Sequence, residues 1–355
     1  MDHPCDLSVI LLYNLDPAWS EAEKDEIRGL TRCLADGLST SGHPTWPVCL
    51  EDADLAAALA GFDPAHCLVF NWCEEIPGVY HSAGLVARKL EELGFAYTGA
   101  DSQALEGSYD KPAVKERLAR RGVLVPRWLL CESPEAPAWD AFPAIVKPAY
   151  EHSSVGITRE AVVHDREELA RQVERVRSAF RQPVLIEDFI DGREFHVTVV
   201  GNGRLQVFPV AEMDFSAIAE DCGRLCTYDS KFVPTSPDYQ MIQLCLPAEL
   251  NALEKEKLEA AAVAAYRATG CRDYARLDIR QREDAFQPAS LAADRIDHGG
   301  LLDAVHPGAQ RGRVGAVQAQ GQLHHGLHSL HQPHQVFRLA PGGGAGVDIQ
   351  VVRSG

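Results

Sequence analysis

The first hundred residues alternate strand and helix signals, and that alternation limits the fold more than any other feature of the chain. Val9-Ile10-Leu11-Leu12-Tyr13 is an unbroken apolar run, the pattern of a strand buried on both faces. A helix follows, opened by the capping box Ser20-x-x-Glu23, with Ile27, Leu30 and Leu34 on one face. Residues 48–50 and 67–71 read as two more short strands. Residues 85–93 read as a helix stopped by Gly94, with an extended piece over 95–98 behind it. Strands separated by helices build a parallel sheet covered on both faces, so an α/β unit is predicted over residues 1–105. The turn after the first strand, Asn14-Leu15-Asp16-Pro17, is not glycine-rich, so the dinucleotide fingerprint is missing and NAD is not expected there.

Two further units follow. Asp110 can cap a helix that carries Pro112 in its first turn, turns Val114 and Leu118 inward and ends at Gly122. A strand over 144–148, a polar loop, a helix capped by Asp165-x-x-Glu168 and a strand over 184–190 complete a unit spanning 106–192. Its helix repeats Leu169, Val173, Val176 and Phe180 at helical spacing. A third unit, 193–286, opens with strands over 195–200 and 205–210 joined at Gly201-Asn202-Gly203, a hairpin-type turn. An Ala-rich helix over 247–269 ends at Gly270, and 274–280 is another strand.

From about Gln287 the chain changes character. Seven of the fourteen histidines lie between His298 and His334, and no Lys follows Lys257, no Asn follows Asn251 and no Glu follows Glu283. Neither helical nor strand periodicity persists, and Pro341-Gly342-Gly343-Gly344 is a breaker. We read 287–355 as an atypical His/Gly/Gln-rich tail, disordered or frame-shifted. The rival is a histidine-rich metal appendage, but His324, His325, His328, His331 and His334 lack supporting acid or Cys ligands.

Composition removes whole classes of function. With 34 Lys+Arg against 51 Asp+Glu the formal charge is −17. Nucleic-acid and anionic-membrane binders need a basic footprint, so neither partner is expected. No apolar run is long enough to span a bilayer, and the acidic, polar start Met1-Asp2-His3-Pro4 argues against a secretory signal. The ten cysteines show no paired C-x-x-C zinc spacing and read as reduced thiols of a cytoplasmic protein. A small anionic ligand in a local basic pocket remains compatible with this charge.

The middle of the chain holds the residues suited to chemistry. Lys147 is the one cation in Pro143-Ala144-Ile145-Val146-Lys147-Pro148; a lone strand lysine is usually solvated, but this one has company. His152-Ser153-Ser154-Val155-Gly156 is a small hydroxyl-rich loop of the kind that presents N–H groups to phosphate oxygens. Glu187 and Glu194 flank a turn, where carboxylates can accept from an amino group or ribose hydroxyls. Alternation in Tyr274-Ala275-Arg276-Leu277-Asp278-Ile279-Arg280 sets Arg276, Asp278 and Arg280 on one face. That trio suits either a structural ion pair or a metal and oxyanion site.

In this order and spacing the strings resemble the D-alanine–D-alanine ligase family of the ATP-grasp superfamily over roughly residues 65–285. The resemblance includes Val69-Phe70-Asn71, Phe95-Ala96-Tyr97-Thr98-Gly99, Asp110-Lys111 with Lys115, and Thr227-Tyr228-Asp229-Ser230-Lys231-Phe232. It implies an ATP-grasp architecture, an N-terminal parallel α/β domain with two α+β domains clasping ATP. It implies Lys111 and Lys147 at the phosphates, Ser153, Ser154 and Gly156 in a lid, and Glu187 at the adenine amino group. Ile190 would offer its backbone to the ring edge, Glu194 would bind ribose and Lys231, in a mobile loop, would reach the γ-phosphate. Arg276 would stabilise an oxyanion and Asp278 would bind magnesium. The implied reaction is ATP- and Mg2+-dependent ligation of a carboxylate and an amine through an acyl phosphate, with an amino acid or other carboxylate and an amine as partners. A homodimer is left open.

The chain departs from the family pattern twice. Asn71-Trp72-Cys73-Glu74-Glu75-Ile76-Pro77-Gly78 replaces the usual His-Gly…Glu-Asp-Gly stretch, which puts D-alanine in question. Glu74 or Glu75 could serve an amino group or simply be solvated. About a dozen residues after Asp278 the family places Glu-x-Asn, whereas this chain reads Phe286-Gln287-Pro288-Ala289-Ser290-Leu291-Ala292-Ala293-Asp294. Asp294 and Asp297 are the nearest candidates, at a different spacing. A ligase for other amino acids or small carboxylates, or a nucleotide-binding protein with impaired turnover, are the rival readings.

Overall fold

The computed structural model describes residues 7–133, 138–219, 223–283 and 285–292, and an antiparallel pair formed by Arg338–Pro341 and Val347–Gln350. The remaining tail, with Asp294, Asp297 and the histidines 298–334, lies outside the described residues.

The N-terminal unit is a parallel sheet. Strands β1 (Ser8–Asn14), β2 (Thr45–Leu50), β3 (Cys67–Trp72) and β4 (Ala96–Tyr97) stand in the order β2-β1-β3-β4. Ile10, Leu11 and Leu12 are fully buried, and each such side chain contributes about 1.5–3 kcal/mol on burial. Helices α1 (Glu21–Thr40), α2 (Leu55–Leu59) and α3 (Ala83–Glu92) connect the strands. The Ser20/Glu23 capping box is formed at the start of α1. The expected extended piece over 95–98 shrinks to two paired residues.

Helices α4 (Ser102–Tyr109) and α5 (Lys111–Arg120) lead onward, capped by Asp101 and Asp110. An antiparallel sheet follows, built from β5 (Trp128–Cys131), β6 (Ala144–Pro148), β7 (Val162–Val163) and β8 (Val184–Asp188) in the order β5-β8-β6-β7. Helix α6 (Arg166–Phe180) packs Leu169, Val173 and Val176 against it, as the spacing predicts. Strand β8 ends at Asp188, two residues short of the expected end.

The last sheet is also antiparallel. It consists of β9 (Glu194–Val200), β10 (Gln206–Val207), β11 (Ala211–Asp214), β12 (Gln243–Cys245), β13 (Tyr274–Arg282) and β14 (Ala285–Ala292). Its path is β12-β11-β9-β13-β14, with β10 also on β9. The expected strand over 205–210 shrinks to β10, and β11 starts beyond it at Ala211; Pro209, between them, has no N–H to donate to a ladder. Between β11 and β12 lie α7 (Tyr228–Phe232) and α8 (Pro237–Met241). Helix α9 (Ala252–Thr269) begins five residues later than the predicted start, where Asn251 and Glu254 form a capping box. Strand β14 pairs with β13 along its length and so carries regular structure across the boundary expected at Gln287.

One apolar core joins the first and third units, with Ile10, Val69, Val86 and Leu90 in the same cluster as Phe195, Val197, Leu258 and Leu277. Asp273 fastens the seam, accepting from Gly99 N–H at 2.9 Å and Asn202 Nδ2 at 2.7 Å. Among the described residues no helix is long and apolar enough to cross a membrane.

Candidate active site

Lys147 on β6 and Glu187 on β8 face each other across neighbouring strands. The ammonium donates to Glu187 Oε2 at 2.8 Å, and Lys115 of α5 approaches Oε1 at 3.1 Å. The Glu187 side chain is 1% exposed, so it stays charged only if cations compensate its lost hydration. They do: burial alone would raise its pKa, but Lys115 and Lys147 outweigh burial and hold it down to about 2. Lys111, in the first turn of α5, donates to the Pro148 carbonyl at 2.7 Å. Loss of water, then the charge of Lys147, push Lys111 down to about 7. Two ammonium groups thus hold one buried carboxylate, and a third meets the Pro148 carbonyl at the end of β6.

The loop after β6 turns through Ser153 and Ser154, both left-handed with φ of 55° and 60°. Gly156 follows with φ of 77°, and a Cβ there would stand 2.8 Å from both Phe180 and Pro148. Only glycine fits that position without displacing the helix behind it. Ser154 Oγ donates to the Cys226 carbonyl at 3.2 Å, and Tyr228 N–H donates to the Ile157 carbonyl at 2.9 Å. Arg159 grips Asp238 with two N–H donors at 3.0 and 2.7 Å, while Thr227 Oγ1 donates to the same carboxylate at 2.9 Å. The two segments expected to cover a nucleotide are therefore bonded to each other. Lys231 sits in the short helix α7, capped by Thr227, rather than in an irregular loop.

A second charged group lies on β9 and β13. Their register sets Asp278 opposite His196 and Arg280 opposite Glu194. Arg276 Nε donates to Asp278 Oδ1 at 2.8 Å, and Arg280 pairs with Glu194 Oε2. His196 Nε2 lies 3.3 Å from Glu194 Oε1 and 3.7 Å from Asp278 Oδ1. All five side chains are buried. Burial would raise the Asp278 pKa, but Arg276, His196 and Lys231 hold it well below the usual range. Glu194 is held down to about 2 against its burial by Arg280 and His196. Arg280 Nη1 also reaches the Ile190 carbonyl at 3.5 Å, which ties the end of the β8 segment to this cluster.

The segment that departs from the family pattern folds toward the same region. Glu75 Oε1 accepts from His81 N–H at 3.1 Å, and Glu74 N–H donates to Asn14 Oδ1 at 3.2 Å. Tyr80 Oη donates to Glu151 Oε2 at 2.6 Å, His81 Nε2 stands 3.3 Å from that oxygen, and Gln182 Nε2 donates to Oε1 at 2.8 Å. Burial would raise Glu151, but His81 and Tyr80 hold it down to about 2, and its charge acts on Lys111.

All the residues expected from sequence fall into these neighbouring groups: Lys111, Lys147 and Glu187 in the first, Ser153, Ser154 and Gly156 in the cover, and Lys231, Glu194, Arg276 and Asp278 in the second. Ile190 lies between them. Sequence reasoning quoted Lys115 without giving it a role and passed over His196 and Glu151. Alternation in Glu194-Phe195-His196 was the available signal for His196; nothing local marks Glu151.

Among the described residues, Glu194, His196 and Asp278 form a group able to hold a metal ion, with donor atoms all within 4.8 Å of one another. A carboxylate such as Asp278 suits magnesium, a hard cation that favours oxygen; the imidazole suits softer ions better. Strand β14 sets Ser290 opposite Asp278 and Ala292 opposite Arg276, so no carboxylate stands at either register position.

Known proteins resemble this chain in sequence and in fold. The family model "D-ala D-ala ligase C-terminus" matches residues 131–286. A D-alanine–D-alanine ligase of Cupriavidus pinatubonensis is 32% identical over 247 residues, covering 68% of this chain and 68% of its own length. The uncharacterized protein y4sG of Sinorhizobium fredii is 32% identical over 250 residues, covering 68% of this chain and 71% of that protein. The crystal structure of a D-alanine–D-alanine ligase from Bacillus anthracis complexed with ATP shares the fold, with a TM-score of 0.59 at 19% identity over 81% of this chain and 87% of that one.

Proposed function

Since the chain belongs to the D-alanine–D-alanine ligase family, we propose that it binds ATP between its two antiparallel sheets and joins a carboxylate to an amine. The γ-phosphoryl of ATP passes to the carboxylate oxygen, ADP leaves, and the amine displaces phosphate from the acyl phosphate to give an amide. This chemistry needs no protein nucleophile; positioning and neutralisation of charge suffice. Lys111 and Lys147 bind phosphate oxygens, and Ser153, Ser154 and Gly156 cover them and exclude water. Glu187 stands at the adenine amino group with the Ile190 backbone at the ring edge. Lys231 meets the γ-phosphate, Arg276 steadies the oxyanion, and Asp278 holds magnesium. Bound magnesium neutralises charge on the phosphates.

The observation that carries this reading is the pairing of Lys115 and Lys147 with the buried Glu187, with Lys111 on the Pro148 carbonyl at the end of the Lys147 strand and two covering segments bonded to each other. A coupled ADP-release assay across pairs of amino acids, other small carboxylates and amines tests it. ADP release that requires both a carboxylate and an amine is the expected result. AMP-PNP affinity within threefold of wild type in both Lys147→Ala and Glu187→Ala would sink the nucleotide assignment.

The register of β14 supports a second reading of the same site, a nucleotide-binding protein with impaired turnover. The register positions opposite Asp278 and Arg276 hold Ser290 and Ala292, residue types without a carboxylate. ATP-analogue binding without ADP release for any pair favours this reading. A double change, Ser290→Glu with Ala292→Asn, should then raise turnover.

A further inference from the structure

We propose that Arg280 is a positioning residue of the nucleotide site: without touching the nucleotide, it aims the Glu194 carboxylate at the ribose hydroxyls and seats the 190–192 connection beside the base. The proposal rests on the ATP-binding reading above and on the ribose role that the resemblance implies for Glu194, and it adds the residue through which that role is exercised.

Arg280 shares a face of β13 with Arg276 and Asp278, yet its contacts are of another kind. It is buried and stands opposite Glu194 in the register of β9 and β13. Its Nη2 pairs with Glu194 Oε2. Its Nη1 donates to the Arg224 carbonyl at 2.5 Å and reaches the Gly192 and Ile190 carbonyls at 3.4 and 3.5 Å. The guanidinium carbon lies 5.6 Å from the centroid of the Phe215 ring. One planar cation therefore joins the connection after β8, the first residue of β9 and the segment that leads into α7.

The backbone around this cation is built for the contact. Gly192 packs so closely on β13 that a Cβ there would stand 1.8 Å from the Gln281 carbonyl oxygen, and Gln281 N–H donates to the Arg193 carbonyl at 3.0 Å. From the other side, Arg224 N–H donates to Asp191 Oδ1 at 2.9 Å. The connection is thus pressed on Arg280 and Gln281 by its own sequence.

The two oxygens of Glu194 are set apart by the same geometry. Oε2 is held by Arg280, while Oε1 lies 3.3 Å from His196 Nε2 and has the capacity to accept from a hydroxyl as well. An acceptor fixed in one orientation loses less entropy on binding than one free to rotate. Lysine would not do the same work, because an ammonium is a compact point charge without the rigid planar fork of a guanidinium. Arg276 does not substitute either, since its Nε is given to Asp278.

The test uses the full chain with magnesium, titrated calorimetrically with ADP and with 2′,3′-dideoxyADP, in wild type and in Arg280→Lys. Wild type should bind ADP at least about tenfold more tightly than the dideoxy analogue, the lower end for a hydrogen bond to a charged group. Arg280→Lys keeps the charge and should lose most of that preference, with ADP weakened far more than the analogue. A merely structural role would weaken the two ligands equally, so a folded variant that keeps the wild-type preference overturns the proposal. A second measurement does not depend on the variant. In wild type at saturation, ADP should slow amide exchange over 223–226 more than the analogue does, because the Arg224 carbonyl is joined to Glu194 through Arg280. Equal protection there by both ligands also overturns the proposal. Wild type that binds no ADP would sink the nucleotide reading and this proposal with it, whereas ADP bound without dependence on the ribose hydroxyls leaves that reading standing and removes only the role of Arg280.

Discussion

Replacing Lys147 by Met separates the nucleotide role of the lysine cluster from its structural role. The Lys147 side chain is 14% exposed and its ammonium sits 2.8 Å from Glu187 Oε2, so removing it deletes one of two cations on a buried carboxylate. Glu187 keeps Lys115 at 3.1 Å, and the fold should survive with a lowered melting temperature. If Lys147 donates to a phosphate oxygen, its loss costs about 1.5–3 kcal/mol, the range for hydrogen bonds to charged groups. At about 1.4 kcal/mol per decade that weakens ATP binding roughly 10- to 150-fold. Isothermal titration with AMP-PNP and magnesium measures this directly, with thermal unfolding run on the same samples. Lys115→Met is the contrast: Lys115 is almost fully buried and faces Glu187, so its loss should lower stability while changing nucleotide affinity much less. A folded Lys147→Met with affinity within threefold of wild type would refute the reasoning. So would Lys115→Met losing more affinity than Lys147→Met, because the phosphate contact would then belong to the other lysine.

Glu187→Gln leaves two ammonium groups at a buried site without their carboxylate and should cost about 3–5 kcal/mol in urea unfolding. Because the Glu187 pKa is held down to about 2, its stabilisation is complete above the ordinary carboxylate range near pH 4.5 and is lost as pH falls toward 2. That acid-side loss should be smaller in the Gln variant, and an unchanged acid profile would count against the assignment. Lys111, held down to about 7, gains its charge as pH falls through neutrality; bound phosphates favour the charged form, so AMP-PNP affinity should fall as pH rises from 7.5 to 9. Lys111→Arg should flatten this profile, and a wild-type profile already flat would contradict the shift. Arg159→Met removes the grip on Asp238, so amide exchange over 153–158 and 227–232 should speed up together. Acceleration in one segment alone would mean that the cover is not a coupled unit.

Much of this fold was legible locally. The run from Val9 to Tyr13, the Ser20/Glu23 box and the spacing of Leu169, Val173 and Val176 each specify an element through short-range chemistry, and the structure contains each one. The errors fall where the decisive partner is distant or lies at an element's edge. Helix α9 waits for Asn251, because the capping box at Asn251 and Glu254 satisfies N–H groups that an earlier start at Pro247 would leave bare. Strand β14 crosses a change in composition because pairing with β13 satisfies its backbone whatever the side chains are. The site shows the same division. Arg276, Asp278 and Arg280 share a face by alternation, which sequence alone reveals. The approach of Lys115 to Glu187, 72 positions away along the chain, and of Tyr80 to Glu151 depend on how sheets and helices meet, and no short-range signal encodes them.

Charge distribution joins the two halves of the site. The chain carries a formal charge of −17, which repels a polyphosphate at long range. The local balance has the opposite sign. Around β6 and β8 the ammonium groups of Lys111, Lys115 and Lys147 face the carboxylates of Glu187 and Glu151, one cation in excess when Lys111 is protonated. On β9 and β13, with α7 above, Arg276, Arg280 and Lys231 face Glu194 and Asp278, again one cation in excess. Because these groups are largely withdrawn from water, their interactions are screened less than those of the acidic surface. Two small positive excesses inside a negative protein select for a ligand whose anionic charge is concentrated and accompanied by a cation, since the excess alone does not neutralise a triphosphate. On the proposed reading a divalent ion would supply the remainder, and Asp278, which would hold it, is the carboxylate that now pairs with Arg276. On this argument metal and nucleotide bind with positive linkage: each should tighten the other by the same factor, as thermodynamic reciprocity requires.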